Sequence, residues 1–328
     1  MKRLKLVAII CVLALFQMSG QAQEKKIKFN KGVLKICSAK NFQITGYDGD
    51  EVIIKSLHNK GANGLTFATS STTEESVFVR GTARVSGTRG NLRTRFPEKK
   101  DSGQAVSVAY FFDNQGRKKG LKKLGKKYEN TEYGIYFTIT QKDGELIFED
   151  QKPKSGTFVM YGNERYEIKI PNSLKLEWKT NFCDYNPKEK KGQTYFYNST
   201  PSSLSNFDGE VEIESSLTNI KLSDVTGPVT INTIGGNVTV EFDKKKPQRL
   251  YSIYSNNGFI DVQIPNSSSI SVDATGKAVY SDVDFKILDE VEVNDFGHIQ
   301  TQMKLKLGSG KTKMKLDANY GNIYLRKK

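Results

Sequence analysis

A chain of 328 residues with 37% hydrophobic side chains and 28 glycines holds apolar material for one large core or two ordinary ones, which excludes wholesale disorder. Its 50 Lys and Arg stand against 36 Asp and Glu, a formal charge of +14. Two His, one Trp and three Cys supply little for metal or nucleophile constellations, so the composition points away from an enzyme.

The first segment reads as an address. Lys2, Arg3 and Lys5 precede an apolar run over residues 6–16, and the small, polar stretch Met18-Ser19-Gly20-Gln21-Ala22 follows. This is the pattern of a cleaved secretory signal peptide over residues 1–22. The run is too short for a stable membrane anchor, which takes about 20 apolar residues. Cys11 follows Ile9 and Ile10 and not a small residue, so it is a poor lipidation site. The expectation is an exported mature chain in the periplasm, on the outer-membrane surface or outside the cell, with no transmembrane helix. Losing three bases and no acid takes its charge from +14 to +11. Cys37 and Cys183 remain. In an oxidising compartment they either pair, closing a loop of about 145 residues, or stay as two buried thiols.

Residues 23–165 read as an N-terminal β region. Short strands with two-residue alternation are expected at Val33-Leu34-Lys35-Ile36-Cys37, Glu51-Val52-Ile53-Ile54-Lys55, Val77-Phe78-Val79, Val106-Ser107-Val108-Ala109-Tyr110, Ile135-Tyr136-Phe137-Thr138-Ile139 and Glu145-Leu146-Ile147-Phe148. Turn chemistry bounds them at Gly46-Tyr47-Asp48-Gly49, Asp143-Gly144 and Tyr161-Gly162-Asn163. No 12-residue segment carries a helical apolar stripe, so little helix is expected. Between the strands, residues 84–128 form a basic loop with 13 bases against Glu98, Asp101 and Asp113. Its densest part holds Arg117, Lys118, Lys119, Lys122, Lys123, Lys126 and Lys127 without an acid. Such a cluster attracts polyanions, and for an exported protein these are acidic polysaccharide, anionic lipid headgroups or extracellular DNA. A solvated loop that only aids solubility explains the same residues. Specific nucleic-acid readout is not expected, because no recognition fold accompanies the run.

From residue 166 to 328 the chain becomes a loose repeat, clearest after Phe207. Gly209-Glu210-Val211-Glu212-Ile213, Gly227-Pro228-Val229-Thr230-Ile231, Gly236-Asn237-Val238-Thr239-Val240, Gly258-Phe259-Ile260-Asp261-Val262 and Gly321-Asn322-Ile323-Tyr324-Leu325 share a glycine, one variable residue and an apolar-x-apolar step. Gly276-Lys277-Ala278-Val279-Tyr280 is a further, looser copy. A period of about 18 to 22 residues with two strands and two turns suits one coil of a β-solenoid. An antiparallel sandwich also gives short strands at such spacing, but has no reason to keep the glycine in phase. The charge runs the other way here, with 15 acids against 7 bases over residues 201–303, before residues 304–328 return to +7.

Candidate chemistry in this half is sparse. Gly308-Ser309-Gly310-Lys311-Thr312 imitates the end of a phosphate loop, but Leu305 stands where the first glycine is needed and a strand pattern follows. His58 and His298 make no zinc set, and no metal or cofactor is expected. Glu210, Glu212 and Glu214 fall on one strand face, opposite Val211 and Ile213, as a solvated outer face requires.

Several stretches, in order, resemble the bacterial putative-adhesin family. They are Leu34-Lys35-Ile36 through Ile44-Thr45-Gly46-Tyr47-Asp48-Gly49-Asp50-Glu51-Val52, then Gly120-Leu121-Lys122-Lys123-Leu124-Gly125 with Glu129-Asn130-Thr131. Tyr166-Glu167-Ile168-Lys169-Ile170-Pro171-Asn172-Ser173-Leu174-Lys175-Leu176, Val225-Thr226-Gly227-Pro228-Val229 and Tyr320-Gly321-Asn322-Ile323-Tyr324-Leu325-Arg326-Lys327 complete the series. The resemblance implies an exported β-solenoid domain with no catalytic residues to carry over. The expectation is an all-β, non-enzymatic binding module of the cell envelope or surface, adhesive in kind. Its partner would be anionic polysaccharide, lipid headgroup or protein. The alternatives are a periplasmic structural or sensing component that binds another envelope protein, and a polysaccharide-acting enzyme on a β-helical scaffold.

Overall fold

The computed structural model describes residues 24–57, 133–150, 165–181, 183–184, 198–295 and 298–328. The signal segment, the expected strands at 77–79 and 106–110, the turn at 161–163 and the basic loop all lie outside these. The described residues form no α-helix and nineteen strands. In chain order these are β1 (Glu24–Lys28), β2 (Val33–Cys37), β3 (Asn41–Tyr47), β4 (Glu51–Ser56), β5 (Thr138–Lys142), β6 (Glu145–Glu149), β7 (Arg165–Pro171), β8 (Lys175–Lys179), β9 (Asn198–Ser205) and β10 (Val211–Ser216). There follow β11 (Thr218–Ser223), β12 (Val229–Ile234), β13 (Val238–Glu241), β14 (Tyr251–Asn256), β15 (Ile260–Ile264), β16 (Ile270–Ser281), β17 (Lys286–Asp295), β18 (His298–Leu307) and β19 (Thr312–Lys327).

From β8 to β15 neighbours in sequence do not pair. Each strand from β8 to β13 pairs in parallel with the strand two places later, giving a first ladder β8–β10–β12–β14 and a second ladder β9–β11–β13–β15. A parallel pair needs a crossover, and here the crossover is the strand of the other ladder. Alternation then decides the faces. Leu176, Val211, Val229, Tyr251 and Met314 lie in one register column of the first ladder, and Ile220, Val238, Ile260 and Ile323 in one column of the second. All are buried, within a single apolar cluster that runs from Phe29 to Leu325.

The order along the ladders is not the order of the chain. β2 lies between β6 and β8, and β3 between β7 and β9, so residues on both sides of position 165 share the same ladders. At the other end β19 lies between β14 and β16 in the first ladder and between β15 and β16 in the second. β16 and β19 are single strands long enough to serve both ladders, with a register shift between Gly276 and Ala278. The antiparallel pairs β5–β6 and β1–β4 close one end, and β16–β18–β17 the other. Asp143 (φ 51°) and Gly144 (φ 80°) make the tight β5–β6 turn expected of them.

The in-phase glycines form columns of their own. A Cβ on Gly227 would meet the carbonyl oxygen of Gly209 closer than 3.0 Å. The same holds for Gly258 against Gly236 and for Gly321 against Gly258. Backbone stacks directly on backbone at these corners, which leaves no volume for a side chain. The residues before Gly236, Gly258 and Gly321 are left-handed, Gly235 (φ 71°), Asn257 (φ 62°) and Tyr320 (φ 61°), as is Leu217 (φ 56°) before Thr218, whose carbonyl lies beneath Gly236. Amide N–H groups of Leu217, Gly235 and Asn257 donate to Ile234, Asn256 and Asn319, each one rung further along, so the corners are hydrogen-bonded to one another.

Cys37 and Cys183 form a disulfide with their Cα atoms 5.1 Å apart. Beside it, Asp150 accepts from Lys40 Nζ at 2.5 Å, from Ser38 Oγ at 2.8 Å and from the Ala39 amide at 3.1 Å, with both ionic side chains almost fully buried. The β2–β3 connection is thereby tied to the ends of β6 and β8.

Candidate binding surface

With the apolar side chains turned inward, function is left to the outward residues. On the first ladder these begin as a charge zipper. Lys175 Nζ lies 3.1 Å from Glu210, 3.2 Å from Glu212 and 3.3 Å from Glu177, and Lys179 lies 2.9 Å from Glu214. The Glu210 contact, then Glu212 and Glu177, hold the Lys175 ammonium above its ordinary range against the opposing effect of burial. The three glutamates expected on one solvated face are there, each in contact with a lysine of the neighbouring strand.

At the corner before β10 and β12 two aspartates organise turns. Asp224, held left-handed at φ 54°, accepts from the amides of Asp243 at 2.7 Å, Lys244 at 3.0 Å and Lys245 at 3.0 Å. Burial raises its carboxyl, and these amide bonds together outweigh burial and bring it below the usual range. Asp208 behaves alike. Burial opposes, but the Lys245 ammonium at 2.7 Å and the Thr226 hydroxyl hold its carboxyl low. Both are fully used by local structure.

The second ladder carries an aromatic column near its far end. Register places Asp261 of β15, Tyr324 of β19 and Tyr280 of β16 side by side on the outer face. Tyr280 and Tyr324 stack with centroids 5.4 Å apart and planes 14° apart, while Phe259 meets Tyr324 edge-on at 6.0 Å. Arg326 Nε donates to both carboxylate oxygens of Asp261 at 2.9 Å, and its guanidinium carbon lies 5.4 Å from the Tyr324 centroid. Asn322 donates its amide to the Tyr324 hydroxyl at 3.2 Å. Among the described residues the column ends at Tyr280, which is 54% exposed.

Finally, β17 pairs with β18 on one side, and among the described residues no strand pairs with its other side. Ile287 and Leu288 are more than half exposed there, beside exposed Glu290 and Glu292.

The seven basic residues proposed for polyanion binding, Arg117, Lys118, Lys119, Lys122, Lys123, Lys126 and Lys127, lie outside the described residues, as does His58. Gly308 and Gly310 turn the chain between β18 and β19. Among the described residues no group of three or more His, Cys, Asp or Glu is arranged to hold a metal ion, and no helix is long and apolar enough to cross a membrane. Sequence reasoning missed the aromatic column. Tyr324 and Asp261 occupy equivalent positions of the repeat, but their adjacency depends on β19 entering between β15 and β16.

No family model matches the chain, and no curated protein matches it. A solved structure of a putative cell adhesion protein from Clostridium sporogenes ATCC 15579 aligns with a TM-score of 0.38 and 13% identity, covering 94% of this chain and 100% of that one.

Proposed function

We propose that the chain is an exported, non-enzymatic binding module of the cell envelope or surface, adhesive in kind, whose strands stack as coils of a β-solenoid. The observation that carries this reading is the pair of parallel ladders: each rung turns its apolar residues inward and presents short, regular outward positions as a broad face. At about 4.8 Å per strand, the run β5–β6–β2–β8–β10–β12–β14–β19–β16–β18–β17 that contains the first ladder extends over roughly 45–50 Å. The signal-like segment at 1–22 and the order of adhesin-like motifs support export and surface binding. The lysine contacts of Glu177, Glu210, Glu212 and Glu214 favour a structural use of these carboxylates over an acid and base pair. The cluster Arg117, Lys118, Lys119, Lys122, Lys123, Lys126 and Lys127 adds a salt-sensitive attraction for anionic polysaccharide or lipid.

Cell fractionation with protease shaving tests the reading. The expected result is cleavage of the protein on intact cells, and a protein confined to the cytoplasm overturns it. For the basic cluster, heparin retention of the mature protein should fall when the seven residues become Ser; unchanged retention removes it. A second reading, a periplasmic component that binds another envelope protein, is favoured by the open, partly apolar strand β17. It predicts resistance to shaving on intact cells together with cleavage after the outer membrane is opened.

A further inference from the structure

We infer that the outer face of Tyr280 is a stacking site for a neutral glycan with a flat hexopyranose face. The inference rests on the binding-module reading and names a ligand class for it.

Three observations converge on it. First, the site is pre-built. Tyr280 is fixed from behind by Tyr324, whose ring is in turn held by Phe259 edge-on; Tyr280 and Tyr324 sit on paired strands, and Phe259 immediately precedes β15. A ring held this way loses little further freedom when it is covered. Second, the other face of Tyr280 has no occupant among the described residues. The segment of β16 that bears it pairs only with β19, and no ring of the described residues continues the stack. Among the described residues the column therefore stops with an aromatic face turned to the position where a next rung would lie, about 4.8 Å on.

Third, the electrostatics select against charge. The guanidinium over Tyr324 is already paired through both carboxylate oxygens of Asp261, so the cluster of Asp261, Arg326, Phe259, Tyr324 and Tyr280 is neutral as a unit. It offers a polyanion no free cation. What remains is the negative face of a phenol ring, which attracts polarised C–H groups. A β-linked hexopyranose with equatorial substituents presents such C–H groups as a flat array on one side and keeps its hydroxyls at the rim. The Tyr280 hydroxyl meets that rim. An α-linked glucan curves and cannot lay successive rings flat against the strand edge.

The test uses the purified mature protein with two probes, cellohexaose and maltohexaose, titrated by calorimetry and by chemical-shift perturbation. Cellohexaose is expected to bind saturably with the tyrosine ring resonances shifting, and maltohexaose at least tenfold more weakly. Tyr280→Phe should retain affinity within about threefold, while Tyr280→Ala should lose tenfold or more. Tyr280→Phe should keep the wild-type thermal midpoint, and Tyr280→Ala should stay folded with a slightly lower one, since it loses the stack on Tyr324. Absence of saturable cellohexaose binding overturns the proposal. So does equal binding by Tyr280→Ala, or an equal loss in Tyr280→Phe and Tyr280→Ala. None of these results touches the location of the protein or its heparin retention, so a failure here is separable from a failure of the binding-module reading.

Discussion

At the residue scale, the glycines make the sharpest statement. Gly258 has the Gly236 carbonyl where its Cβ would stand, whereas a Cβ on Gly276 would lie 3.1 Å from the Gly321 carbonyl oxygen. Gly258→Ala must therefore push two rungs apart, and a loss of about 3 kcal/mol or more is expected, by analogy with overpacked cores. Gly276→Ala should cost about 1 kcal/mol or less, and urea titration of both variants measures the difference. Asp224 offers a test of charge. Its carboxyl titrates below its unfolded value of about 3.9, so its stabilisation is fully present above that pH and is lost as pH falls through the lower, folded value. Asp224→Asn should thus cost about 1–2 kcal/mol at pH 7, and the gap from wild type should close as the medium is acidified below pH 4. Asp317 has the opposite sign. Burial raises its carboxyl against the pull of Lys315, so its ionisation is unfavourable in the fold and stability falls as pH rises between its unfolded and folded values. Asp317→Asn should raise the thermal midpoint at neutral pH and not at pH 3. The phase of the glycines was visible in sequence. Their division into two corner columns was not, because Gly227 and Gly236 differ only in which carbonyl lies beneath them.

At the scale of elements, alternation was a dependable guide wherever both neighbours of a strand are other strands. β10, β12, β13 and β15 follow it residue by residue, with Val211, Val229, Val238 and Ile260 buried and the intervening residues outward. At the ends it was less informative. The expected strand at 135–139 begins only at Thr138, since Ile135 and Phe137 are drawn into the core before pairing starts. Asp150 and Lys40 gave no sequence signal at all: their pairing depends on a corner assembled from segments 110 residues apart. Removing one partner leaves a buried charge, so Asp150→Ala should lose about 3–5 kcal/mol. Asp150→Leu combined with Lys40→Met should recover most of it. The adjoining disulfide spans 146 residues, and a chain-entropy account gives it up to about 5 kcal/mol. Replacing Cys37 and Cys183 by Ser should lower the denaturation midpoint by a corresponding amount, with no further effect of reductant.

At the scale of the whole molecule, the order of rungs carries information that periodicity does not. A repeat of glycine and alternating apolar residues specifies that rungs stack, but each rung offers two similar edges, and nothing local decides which rung takes which edge. The chain resolves this by wedging. β2 and β3 enter between rungs made more than 100 residues later, and β19 enters between β14–β15 and β16. Both insertions make an interior rung, paired on two sides, of strands far in sequence from their partners, and β19 is buried there through Met314, Leu316, Ala318, Ile323 and Leu325. β16 pairs with β19 along both ladders and has no pairing with β14 or β15. Removing residues 312–328 should therefore differ from trimming an ordinary terminus. The truncated chain is expected to lose protection from hydrogen exchange throughout β14–β18 while β8–β13 stay protected. Its thermal transition should split or broaden, because the β16–β18–β17 group has lost the strand that joins it to the remaining rungs. If instead β16 closed directly onto β14 and β15, exchange protection in β14–β16 would survive the truncation and the wedge would be dispensable. The same experiment bears on binding, since the truncation removes Tyr324 and with it the support of Tyr280, so cellohexaose binding should vanish even where heparin retention does not.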